Sequence, residues 1–276
     1  LITRLKKTER GITLNGERVF VNVRVKAGDH IALYMEEETS EYIEPEPIPI
    51  DVVYEDQALL VVNKPAGIIV HPTHGHYTGT IGNAVMHYAQ MKGERYRFRP
   101  VHRLDEGTSG LLVIAKHPFA HDQISRQLQR DEVYKAYTAI VAGNPSIPEG
   151  TIQAPIARSP DNPHIRHVTP EGARSVTHYK VLERGNRFTL LHLQLETGRT
   201  HQIRVHLQHL GCPIVGDLMY GDQSGNQPSD LSQWISRPAL HAAKLQLKHP
   251  MTGVTLTFEA EMPEDMTALW HGNQEG

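Results

Sequence analysis

Cysteine is almost absent: Cys212 is the only one in the chain, so no disulfide can form within it and a thiolate zinc site would need a second copy. A reducing, cytoplasmic setting is expected. No run of apolar residues approaches the ~18 needed to span a bilayer, and Leu1 is followed by no charged-then-apolar leader, so a soluble protein with a cut start is expected. Neither common glycine-rich phosphate loop is present, which leaves a nucleotide cofactor without support. Internal repeats are also lacking. Cys212 follows a helix-ending Gly211 and has no dedicated base beside it, and it reads as a small buried residue.

What is present is enough for one substantial core and a small appended module: 276 residues, 39% of them hydrophobic. The net charge of −3 argues against a uniformly basic nucleic-acid binder, yet the average hides a strong asymmetry. Residues 36–46 carry six acids and residues 259–276 carry five, with no Lys or Arg in either segment; without those eleven acids, 28 basic residues face 20 acidic ones. The densest basic stretch, "KGERYRFRPVHR" (92–103), interleaves Arg95, Arg97, Arg99 and Arg103 with Tyr96 and Phe98. That mixture suits phosphate contacts with base stacking, and equally a solvated loop.

Short alternating strands occupy residues 11–34, around the turns Asn15-Gly16 and Ala27-Gly28-Asp29. The acidic segment then runs into Pro45, Pro47 and Pro49, an extended linker that places a boundary at 41–50. From Asp51 onward, hairpins predominate, with helices expected in "GTIGNAVMHYAQ", "HDQISRQLQRDEV" and "THQIRVHLQHLG", the last capped by Thr200 and stopped by Gly211. Residues 143–172 read as a Pro/Gly loop region. The predicted class is α+β with a largely antiparallel sheet.

The stretch "VHRLDEGTSGLLVIAK" (101–116) sets His102, Arg103 and Asp105 ahead of a turn and an apolar run. Because "GLLVIA" must be buried, Asp105 belongs in a loop at the mouth of a core strand. An ion pair, with Arg103 the nearest cation, would keep the carboxylate ionised and fit to act as nucleophile or base; a structural Asp bonding the turn amides fits the same residues. Ser109 lacks the glycine two residues ahead that a nucleophile elbow uses. His71, His74 and His76 in "HPTHGH" form a rival constellation, a metal site for a metallohydrolase. In the last predicted helix Arg204 lies near the positive end, where the macrodipole does not explain a cation and an acidic partner does. The preceding "ETGR" turn would offer Arg199 and Thr200 to a phosphate.

Five segments in order, "VVYEDQALLVVNKPAGIIVHP", "HRLDEGTSGLLVIAK", "YKAYTAIVAG", "ETGRTHQIRVHLQHLGCPIVGDLMYG" and "RPALHAAKLQLKHP", closely resemble the RluA branch of the pseudouridine synthases, which isomerise uridine in RNA. The resemblance covers about residues 51–266. It implies that Asp105 is the catalytic aspartate, that Tyr137 packs against the target base, and that Arg204 pairs with the aspartate, displacing Arg103 from that role. Arg103 then faces the RNA, and Arg97, Arg99, His102, Arg199, Thr200 and His201 are RNA-contacting candidates beside it. The implied partner is ribosomal or transfer RNA, with base flipping and without metal or cofactor. A non-catalytic RNA-binding protein using the same cleft is the second reading. Residues 1–40 resemble the strand portion of the small RNA-binding module common at the N-terminus of such synthases, followed by the linker 41–50 and a catalytic domain over 51–276.

Overall fold

The computed structural model describes residues 2–35, 40, 42–221 and 235–275. Glu36, Glu37, Glu38 and Glu41 of the acidic run therefore lie outside the described residues.

A short helix, α1 (Ile2–Leu5), leads into a three-stranded antiparallel sheet of β1 (Ile12–Leu14), β2 (Glu17–Arg18) and β3 (Ile31–Leu33). Asn15 (φ 51°) and Gly16 (φ 87°) are both left-handed in the β1–β2 turn, as a tight hairpin requires. Residues 42–50 have no regular structure, as their prolines dictate, but they are docked. Ile43 is buried, and the Glu46 carboxylate accepts the Gly79 N–H at 3.1 Å.

The rest is organised by one nine-stranded sheet. Its strands are β4 (Asp51–Glu55), β5 (Leu59–Lys64), β6 (Ser109–Ala115), β7 (Tyr134–Ala142), β8 (Glu149–Gln153), β11 (Val176–Arg184), β12 (Phe188–Leu195), β13 (Leu240–Lys248) and β14 (Thr255–Glu259). The order is β4-β5-β6-β13-β7-β12-β11-β8, with β14 also on β13. Every pairing is antiparallel except β6 with β13, a two-residue junction at His241–Ser109 and Ala242–Gly110. Gly110 is obligatory there: its φ is 113°, and a Cβ would sit 2.4 Å from the Ala242 carbonyl oxygen. Residues 143–172, expected as loop, contribute β8 and a separate ribbon of β9 (Ile156–Arg158) and β10 (Arg166–Val168).

The uninterrupted apolar runs of β5 and β6 follow from burial on both faces. Leu60, Val62, Leu112 and Ile114 point to one side, against Ile81, Val85 and Ala89 of helix α2 (Ile81–Met91). Leu59, Val61, Leu111 and Val113 point to the other, against Ala120 and Ile124 of α3 (Pro118–Gln129). Fully burying such a side chain contributes about 1.5–3 kcal/mol, so these strands anchor whatever is attached to their ends. Helix α4 (Gln202–His209) and a C-terminal helix, α5 (Glu264–Glu275), complete the fold. The acidic composition of 259–276 does not announce α5, whose apolar core residues among the described ones are Met266, Leu269 and Trp270. Among the described residues, no helix is long and apolar enough to cross a membrane.

Candidate active site

Asp105 sits in the loop entering β6, and that loop is braced from below. Lys64, wholly buried at the end of β5, donates from its ammonium to the carbonyls of Pro65 (2.8 Å), Ile68 (2.7 Å) and Glu106 (3.1 Å). Gly67 N–H donates to the same Glu106 carbonyl, and Thr108 N–H closes the turn onto the Asp105 carbonyl. Burial pulls the Lys64 pKa down to about 8, opposed by the negative charge of Asp105. Arg237 grips the far side, donating to the Gly107 carbonyl at 3.4 Å while forming a two-nitrogen ion pair with Asp265. With the Leu104 side chain also buried, the backbone of Asp105 has little freedom.

The carboxylate is addressed on one oxygen only. Arg204 Nη1 lies 3.5 Å from Oδ2, and His201 Nε2 lies 3.9 Å from the same atom. Among the described residues no hydrogen bond or ion pair reaches Oδ1, and the side chain stays about a quarter exposed (28%), lining the cleft. Arg204 itself is oriented by Asp217, whose buried carboxylate accepts from Nε at 2.6 Å and Nη2 at 2.8 Å. Burial works against the guanidinium's charge, but the hydrogen bonds and charge of Asp217, aided by Asp105, hold its pKa above the ordinary value. The acidic partner expected for Arg204 thus exists, in two copies, and the neighbouring Arg103 is exposed and makes no ion pair with Asp105 among the described residues.

Asp217 Oδ1 also accepts the backbone N–H groups of Met219 and Tyr220, fixing the loop that carries Tyr220. The Tyr220 ring lies under the Arg204 guanidinium, 4.9 Å from centroid to Cζ. Its hydroxyl accepts the Arg166 N–H and meets His201 Nδ1 at 2.8 Å. Helix α4 begins one residue later than expected: His201, not Thr200, is the N-cap, in a left-handed conformation. Thr200 is exposed, and the Gln202 side chain organises the turn by accepting from Thr197 and from the Arg199 N–H.

Tyr137, on β7, points into the same cleft, a cavity of about 790 Å³. Burial, reinforced by the nearby negative charge of Asp105, raises its phenol pKa and keeps it neutral. Two residues earlier, on the same face of β7, Lys135 also lines the cleft; the period-two spacing in "YKAY" is the signal that locates it. Arg103, Arg174, Arg199 and Thr200 complete a mainly basic rim, while Arg97 and Arg99 lie outside the lining. Lys92, counted with the basic stretch, is paired with Glu55 at 2.6 Å. His102 lines the cleft, but its Nε2 accepts the Val113 N–H of β6 at 3.2 Å. Burial lowers its pKa to about 4, with the Lys135 charge adding to the effect, so the ring is neutral and tied to the sheet.

The rival constellations do not assemble. Ser109 is buried, and its hydroxyl meets His241 Nδ1 at 2.9 Å while His241 Nε2 reaches the Ala260 carbonyl, a closed structural link across the parallel junction. Among the described residues no group of three His, Cys, Asp or Glu could hold a metal ion; His71 bonds the Pro72 carbonyl, and the His74 ring lies tilted against Tyr77. Cys212 is buried, and burial pushes its thiol pKa up.

Residues 58–209 match the model of the family described as RNA pseudouridylate synthase. An uncharacterized RNA pseudouridine synthase of Bacillus subtilis (strain 168), YlyB, is 43% identical over 261 residues, 94% of this chain and 84% of that protein. Ribosomal large subunit pseudouridine synthase D of Escherichia coli (strain K12) is 40% identical over 252 residues, 89% of this chain and 77% of that one. Among solved structures, human RNA Pseudouridylate Synthase Domain Containing 4 superposes with a TM-score of 0.65 at 26% identity, covering 80% of this chain and 92% of that chain.

Proposed function

The chain belongs to the RluA family of RNA pseudouridine synthases, isomerases that convert uridine to pseudouridine in RNA, and from that premise we propose that Asp105 is the reacting carboxylate and Tyr137 the platform for the flipped base. The observation that carries this is the asymmetry of Asp105: Arg204 and His201 both address Oδ2, and the partly exposed side chain lines the same cleft as Tyr137. A carboxylate oriented in this way can attack the sugar carbon of the glycosidic bond or remove a sugar proton to give a glycal. In either route the uracil leaves through its nitrogen, rotates and rejoins through carbon 5, which displaces the carboxylate from the sugar or restores the sugar proton; carbon 5 then loses its proton to solvent and the freed ring nitrogen takes one up. The isomerisation involves no net redox change and no external acceptor, so the side chains of the cleft suffice without a cofactor.

A uridine must leave its stack to reach Asp105, at a cost of a few kcal/mol. Stacking on Tyr137 and contacts to the basic rim of Arg103, Lys135 and Arg199 offset that cost. Arg103, exposed next to the site, is placed to enter the space the base vacates. The substrate we infer is a uridine in ribosomal RNA, in keeping with the name of the 40% identical Escherichia coli relative, with transfer RNA as the other candidate.

Tritium release from RNA labelled at uridine carbon 5 is the direct test. The purified protein should release it, and Asp105→Asn should not, while still binding RNA. Normal turnover by the Asn variant would remove Asp105 from the mechanism. Pseudouridine mapping in total RNA from cells with and without the gene then distinguishes ribosomal from transfer RNA.

A further inference from the structure

Among the described residues two histidines open helices, and they do so in opposite ways. His117, at the N-cap of α3, has the extended backbone usual at that position (φ −141°, ψ 162°), and its Nδ1 accepts the Ala120 N–H at 3.1 Å. Thr80 does the same for α2. His201, at the N-cap of α4, is left-handed (φ 57°, ψ 18°) and makes no capping bond. A residue with a Cβ is disfavoured there, and such strain persists where the surrounding structure enforces it. Among the described residues, the other two non-glycine residues with positive φ, Asn15 and Asp131, lie in a hairpin turn and just beyond the end of α3, where no helix start depends on them.

The ring that His201 withholds from capping is used elsewhere. Its Nδ1 lies 2.8 Å from the Tyr220 hydroxyl. The hydroxyl oxygen accepts the Arg166 N–H; in the tautomer in which it gives its own proton to Nδ1, the neutral imidazole carries its proton on Nε2. Nε2 is the atom facing Asp105 Oδ2 at 3.9 Å. Burial, helped by the charges of Arg204 and Arg166 against those of Asp105 and Asp217, lowers the His201 pKa, in keeping with a neutral ring.

We propose that His201 is a positioning residue for Asp105, held in a left-handed backbone so that its ring, hydrogen-bonded to the Tyr220 hydroxyl, packs its Nε2 edge 3.9 Å from the Asp105 Oδ2 atom. It acts with Arg204 to confine that oxygen and so turn Oδ1 to the substrate. The inference rests on the reading that Asp105 is the reacting carboxylate.

The experiment compares His201→Gln, His201→Phe, His201→Gly and Tyr220→Phe with the parent and with Asp105→Asn, measuring kcat, KM and melting temperature on one RNA substrate. His201→Phe, which keeps a ring without a donor, should lose about 10- to 100-fold in kcat with KM little changed, the scale expected when a reacting group is misplaced. His201→Gln, which keeps an N–H donor, should recover part of that loss, and Tyr220→Phe, which frees the ring, should fall between parent and His201→Phe. His201→Gly should melt within about 3 °C of the parent, since relief of the backbone offsets the lost ring contact, and should be as slow as His201→Phe. Parent-like kcat in His201→Phe overturns the proposal, as does loss of activity in all four variants only in step with melting temperature. If Asp105→Asn is inactive while His201→Phe is not, this inference alone fails; if Asp105→Asn is active, the assignment of Asp105 fails with it.

Discussion

Arg204 binds Asp217 through two nitrogens, at 2.6 and 2.8 Å, and reaches Asp105 with its third at 3.5 Å. The buried carboxylate is the anchor, and the half-buried one receives what that anchor leaves available. Asp217→Asn should therefore do more than remove one bond, because an amide cannot accept from both nitrogens and leaves a buried guanidinium under-compensated. Breaking a buried pair in this way costs about 3–5 kcal/mol. Urea unfolding should show that loss, and tritium release should fall along with it; an unchanged unfolding midpoint would show that Arg204 is held by something else.

Tyr137 separates stacking from hydroxyl chemistry. Its phenol is neutral and no hydrogen bond to it is present among the described residues, so Tyr137→Phe should bind RNA as the parent does. Tyr137→Ala should weaken binding by about 1–3 kcal/mol, the usual worth of one base stacked on an aromatic ring. Anisotropy titrations with a short uridine-containing RNA decide the matter, and equal affinities for the two variants would refute a stacking role.

His102 governs part of the acid stability. Its folded pKa is about 4, below the unfolded value of 6.5, so the unfolded chain takes up a proton that the folded one refuses. Its contribution is complete above pH 6.5 and disappears as the pH falls toward 4, up to about 3 kcal/mol in all. Glu55, whose pKa is lowered to about 2 by the hydrogen bonds of Lys116, Lys92 and Tyr88 against its own burial, adds a further loss only below pH 4.5. His102→Gln, whose side-chain oxygen can accept the Val113 N–H, should flatten the stability profile between pH 6.5 and 4.5. An identical pH slope in urea midpoints for parent and variant would assign the acid sensitivity to other groups.

Much of this site was legible in the sequence because its parts carry strong local signals. The apolar run after Asp105 demanded a buried strand, and Arg204 at a helix start demanded an acid. What stayed hidden involves single residues whose partners are remote. Lys64 in "NKPAG" reads as part of a polar turn, yet it is a buried ammonium bonding a carbonyl 42 residues away. Asp217 and Tyr220 lie in "VGDLMYG", where no spacing reveals that one holds Arg204 and the other holds His201. Thr200 satisfies every local rule for the cap of α4, while the left-handed His201 that takes the position is explained by contacts outside the helix. The parallel β6–β13 pairing was equally invisible, since a sequence of hairpins implies antiparallel neighbours throughout.

That parallel junction also sets a schedule. Asp105 precedes β6 and Tyr137 lies on β7, yet the two strands are not neighbours; β13, made more than a hundred residues later, is inserted between them. A chain emerging from the ribosome therefore carries both residues long before it has a cleft, and the site comes into being only when residues 240–248 thread the gap. Strand β13 is in this sense the arming step: a copy that ends before it holds the side chains proposed to act on RNA without the cleft that brings them together.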